Sequence, residues 1–125
     1  MRKVGPFSSG AAAGNNGAAT ANSTTAIELA GRVAGIYVKY NDSPPATTGV
    51  KIETVGTAPN PPSYTLLELS NANTGGWFYP HVAIHDTAGA AIAGEYDTLL
   101  VADRVKITIA GANANDSVDV WFILE

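Results

Sequence analysis

Short runs in which apolar and polar residues alternate, dense turn signals between those runs, and no helical stripe in any window predict an all-β protein. The expected architecture is an antiparallel β-sandwich, jelly-roll-like, of about eight strands, with an extended N-terminal arm. A chain of 125 residues suits one such domain.

The elements follow in chain order. Residues 10–25 read GAAAGNNGAATANSTT, with no charge and no large side chain. Such a stretch buries too little apolar area by itself to offset its ordering entropy. Residues 1–23 are therefore expected to form an arm, either flexible or clamped on a neighbouring subunit, and residues 24–125 the sandwich domain. Within the arm, Ala11, Ala12, Ala13, Asn15 and Asn16 are candidate contact residues, because small side chains let one backbone approach another.

Thr24–Leu29 is the first expected strand. Gly35–Tyr40 is the second, with Ile36, Val38 and Tyr40 opposed to Tyr37 and Lys39. Val50–Val55 and Tyr64–Leu69 come next, then Trp77–His85, with Val82 and Ile84 opposed to His81, Ala83 and His85. Leu99–Val101 is a short continuous apolar run. Arg104–Ile109 sets Val105, Ile107 and Ile109 against Lys106 and Thr108, and Val118–Leu124 sets Val120, Phe122 and Leu124 against Asp119 and Trp121. Turn signals separate them at Asn41–Pro45, Pro59–Pro62, Asn71–Gly76, Asp86–Gly89 and Gly111–Asp116.

Composition narrows the function classes. Net charge is −4, and Arg2 and Lys3 supply two of the seven basic residues. The remaining body is acidic, which argues against nucleic acid and against anionic membrane as partners. The chain has no cysteine, so disulfide frameworks, zinc knuckles and thiol catalysis are excluded. No run approaches the ~18 apolar residues of a membrane helix. Gly5, Pro6, Ser8 and Ser9 interrupt the apolar core a signal peptide would need.

No catalytic constellation emerges, and the chain is expected to be neither an enzyme nor a cofactor binder. His81 and His85 share a strand face but lie about 13 Å apart at about 3.3 Å per residue, too far to share a metal. No serine occupies a Gly-x-Ser-x-Gly elbow. Glu95, Asp97, Asp103, Asp116 and Asp119 read as solvated strand ends and turns. The loop Asn113–Ser117 offers oxygens but not the spacing of an EF-hand. The stronger signal is aromatic. Trp77, Phe78 and Tyr79 sit together, and Trp121 with Ile123 makes the last strand apolar on both faces. These five residues are expected to form a subunit contact, where Trp and Tyr are enriched.

Four segments together carry a resemblance. They are Gly35-Ile36-Tyr37-Val38-Lys39-Tyr40, Gly49-Val50-Lys51-Ile52-Glu53-Thr54, residues 76–86 (GWFYPHVAIHD), and residues 101–109 (VADRVKITI). Residues 26–125 so read resemble the small jelly-roll cement or decoration proteins of tailed-bacteriophage heads. The likeness lies in strands and turns, and no functional residue carries over. It implies a virion structural protein on the outer capsid surface, made in the host cytoplasm. It further implies that the chain binds across capsomer junctions, with the major capsid protein and its own copies, as homodimer or homotrimer, for partners. Alternatives are another virion component (tail, neck or fibre module) or a carbohydrate-binding sandwich that stacks a host-surface glycan on Trp77, Tyr79 or Trp121.

Overall fold

A computed structural model describes residues 1–125 and contains ten strands and no helix. The strands are β1 (Arg2–Ser8), β2 (Ala19–Thr24), β3 (Leu29–Tyr40), β4 (Gly49–Thr54), β5 (Thr65–Leu69), β6 (Gly76–Phe78), β7 (His81–His85), β8 (Ala91–Asp103), β9 (Val105–Ala112) and β10 (Val118–Leu124). They form two antiparallel sheets, one in the order β1-β10-β3-β8-β7 with β6 also on β3, the other in the order β2-β9-β4-β5.

That order is a jelly roll. β1 pairs with β10, β2 with β9, β3 with β8 and β4 with β5, as in one long hairpin. Rolling the hairpin adds the pairs β10·β3 and β9·β4. The short β6 and the strand β7 are additions between the fifth and sixth strands of that scheme.

Strict period-two burial fixes which face meets the core. β10 sends Val118, Val120, Phe122 and Leu124 inward, β9 sends Val105, Ile107 and Ile109, and β4 sends Val50 and Ile52. Val33, Ile36 and Val38 from β3 and Leu99 and Val101 from β8 complete the layer. The inward faces expected for β4, β9 and β10 are the ones observed, as are Ile36 and Val38 of β3.

Three expectations are corrected. Residues 1–23 are not a separate arm but supply two strands of the roll. β1 pairs with β10 from Arg2↔Leu124 to Ser8↔Asp119, and β2 pairs with β9 from Ala19↔Ala112 to Thr24↔Lys106. The linker between them is bonded to the 112–118 turn. Ala12 N donates to Asp116 O at 2.7 Å, Asn115 N to Ala12 O at 2.7 Å, and Gly17 N to Ala112 O at 2.9 Å. Long-range pairing supplies what local composition lacks.

Next, Thr24–Leu29 is not one strand. β2 ends at Thr24 and β3 begins at Leu29, and the chain crosses between sheets through Thr25, whose hydroxyl donates to Ile27 O and accepts from Val105 N. Finally, Trp77–His85 divides into β6 and β7 at Tyr79-Pro80, because proline has no N–H for a ladder.

One buried acid pins a loop. Asp103 is 4% exposed and accepts from Gly56 N at 2.8 Å, Arg104 N at 2.7 Å and Asn60 Nδ2 at 2.8 Å. The Gly56 amide leads in holding this carboxyl below the usual range, with Arg104 and Asn60 assisting and burial opposing. A lowered folded-state pKa stabilises above the unfolded value of about 3.9 and is lost as pH falls through the folded one. Asp103→Asn should therefore lower Tm more in melts at pH 6 than in melts at pH 3, below the unfolded-state value. Equal gaps at both pH values would contradict this role.

Candidate docking face

The outer face of the larger sheet carries an aromatic row that the register builds. Trp121 of β10 lies opposite Tyr37 of β3, and Tyr37 lies opposite Trp77 of β6. Cross-strand partners share a face, so the three rings line up across three strands. Their centroids are 5.7 Å apart for Tyr37–Trp121 and 5.0 Å for Tyr37–Trp77, with tilts of 55° and 54°. Tyr79 extends the row, 6.4 Å from Trp77 and within 10° of parallel.

Gly35 makes room for this end of the row. A Cβ there would stand 3.2 Å from Tyr79 Cε1 and 3.6 Å from Trp77 Cε3, so both rings rest on bare β3 backbone. Met1, Ala34 and Ile123 join Gly35, Trp77 and Tyr79 around a shallow, mostly apolar concavity. Trp77 is 50% exposed and Tyr79 69%. Lys3 pairs with Ile123 and so stands on the same face, whereas Arg2 pairs with the inward Leu124 and stands on the other.

The second feature is a ribbon. β8 pairs with β3 only from Asp103 to Leu99, and beyond Val33 that flank of β3 passes to β6 at Ile36↔Phe78. The outer half of β8 thus leaves the sheet and pairs with β7 alone. Every residue from His81 to Asp97 is exposed except the half-buried Ala83. Asp86 closes the tip by accepting from Ala88 N and Ala90 N, and Gly89 takes the left-handed conformation the turn needs, at φ 82°. At the base, Arg32 Nη1 donates to Asp97 Oδ1 at 3.0 Å and to Thr98 Oγ1 at 3.1 Å. The Thr98 amide, then Arg32, holds the Asp97 carboxyl low. Val82, Ile84, Ile92 and Tyr96 are all at least a third exposed on this ribbon.

The expected contact residues divide. Trp77, Tyr79, Trp121 and Ile123 share the outer face, whereas Phe78 turns inward and packs against the core. Ala12 is 3% exposed and therefore unavailable to a partner. Asn16 Oδ1 accepts from Ala114 N, so that side chain serves the chain's own fold, while Ala11, Ala13 and Asn15 are exposed at the same loop. Tyr37, the centre of the row, was absent from the expected set. Its alternation against Ile36 and Val38 was the available signal.

The polar residues weighed for chemistry are spread over the molecule. His81 and His85 are exposed on the ribbon, and the His81 ring stacks on Tyr96 at 4.3 Å. Asp116 Oδ2 accepts from Asn113 N and Asn113 Oδ1 from Gly17 N, so that turn uses its oxygens on backbone amides. No three His, Asp or Glu side chains gather as a metal site. No family model, curated protein or solved structure matches the chain; the aromatic row and the ribbon are the features from which a function must be argued.

Proposed function

We propose that the chain is a non-catalytic virion subunit that decorates and cements a tailed-phage head by docking on its protein lattice. The observation that carries this reading is the in-register row Trp121–Tyr37–Trp77, extended by Tyr79, in which half-buried Trp121 and Tyr37 lead to exposed Trp77 and Tyr79 on the outer face of a small sandwich. A contiguous apolar patch in that position favours a partner surface, and aromatic rings anchor such contacts. A subunit that binds only the assembled lattice stabilises assembly by linkage, and repeated copies let individually weak contacts hold.

The test is cosedimentation of the purified chain with expanded heads. Wild type should sediment with them, and Trp77→Ala with Tyr79→Ala, at the two exposed rings of the row, should weaken binding about tenfold or more while preserving a cooperative melting transition. Wild-type chain left in the supernatant would defeat the proposal.

The near-parallel Trp77 and Tyr79 rings over Gly35 favour a second reading, a glycan-stacking platform. That reading requires glycan-array binding that Trp77→Ala abolishes, with no affinity for heads.

A further inference from the structure

We propose that the β7–β8 ribbon of one copy docks in the apolar concavity of a second copy, making a two-fold dimer. The inference rests on the docking reading of that face and names what meets one end of it.

The ribbon is built unlike the rest of the molecule. A lone two-stranded hairpin is marginal in water. This one nevertheless exposes Val82, Ile84, Ile92 and Tyr96 rather than turning them to a core. Such a surface calls for a cover.

Charge identifies the cover. Residues 81–98 contain Asp86, Glu95 and Asp97 and no Lys or Arg, and with Asp97 paired to Arg32 of β3 the ribbon presents Asp86 and Glu95. The concavity lined by Met1, Gly35, Trp77, Tyr79 and Ile123 is bordered on β1 by Lys3, which stands opposite Ile123, whereas Arg2 stands opposite the inward Leu124 and belongs to the other face. An aliphatic, acidic ribbon therefore complements an aromatic hollow with a lysine at its rim. Both halves stand exposed on one chain, so neither satisfies the other within it. A two-fold axis lets each copy give its ribbon and receive its partner's, covering both surfaces twice with one contact type.

Sedimentation velocity and light scattering on the full chain test this. Wild type should be a dimer at micromolar concentration. Lys3→Glu in one variant, and Glu95→Lys in another, should each weaken the dimer about tenfold or more. An equimolar mixture of the two variants should restore it, because each chain then meets an opposite charge at both contacts. Ile84→Ser with Ile92→Ser, which touches no core residue, should also give monomer with an unchanged circular dichroism spectrum. A monomeric wild type, or a dimer indifferent to all these changes, would overturn the inference. The two proposals fail separately: a monomer that coats heads would sink the dimer and keep the decoration role, and a charge-paired dimer that ignores heads would do the reverse.

Discussion

Deletion of residues 1–23 is expected to abolish cooperative folding. The segment contains all of β1 and nearly all of β2, which are the outer partners of β10 and β9. Ser9, Ala12 and Ala19 are buried, and Val4, Phe7 and Ala21 pack against the core. Ser9 also exchanges two hydrogen bonds with Val118, through its amide at 3.0 Å and its hydroxyl at 3.1 Å. Removing the segment strips the sandwich along one side of both sheets and leaves two apolar strands as raw edges, which aggregate. Folded domains are stable by only about 5–15 kcal/mol, so the loss of two of the roll's strands exceeds what the remainder can carry. Far-UV circular dichroism melting of the truncated chain checks this. A sharp transition at the wild-type temperature would instead identify residues 1–23 as a dispensable arm.

Phe122→Ala should be the most damaging single substitution. Phe122 is 0% exposed, sits in the middle of the inward row of β10, and meets the Phe7 ring at 6.0 Å with a 52° tilt. It therefore joins β1 to the core as well as filling it. Truncating a buried Phe costs about 3–5 kcal/mol, from lost transfer energy and the cavity left behind. For a domain of this size that is a large share of the total and should lower Tm by about 10 °C or more. Denaturant unfolding should show a lower midpoint with an unchanged slope. A shift of under about 1 kcal/mol would mean that the neighbours collapse into the space far better than packed cores do.

Much of the sandwich could be read from residue order because its central strands bury one face and solvate the other. Val105, Ile107 and Ile109, or Val120, Phe122 and Leu124, repeat at period two for that reason, and the jelly roll follows once such strands pair as observed. The strands that escaped reading lack that imprint. β2 is ATANST, with one buried residue, and it is a strand only because β9 lies beside it. β1 carries an irregularity between Val4 and Phe7, where Gly5 and Pro6 interrupt the alternation. In both, the stabilising bonds come from about a hundred residues away, where no local window reaches. The outer half of β8 was missed for a different reason. Both of its faces meet solvent, so Ala91–Thr98 shows no division into apolar and polar sides.

The docking face was legible in part. Trp121 and Ile123 could be placed outside the core by alternation alone, whereas Trp77 and Tyr79 were grouped with Phe78, which faces the core. Their assembly into one row depends on β10·β3·β6 register, a tertiary fact. The same limit explains why small residues at Ala12 and Asn16 suggested contacts with neighbours, when the close approach they permit is to the chain's own 112–118 turn.

The departure of β8 from the sheet at Leu99 divides one continuous strand into two regimes of constraint. From Leu99 inward, each residue must satisfy a fixed neighbour in the roll. Outward of it, the appendage answers only to its own pairing. Lengthening both limbs by two residues would keep every side chain on its present side and leave the body's register untouched, and a longer connection adds little closure entropy. The reach and chemistry of this protrusion can thus diversify, by drift or by design, while the scaffold beneath it stays the same.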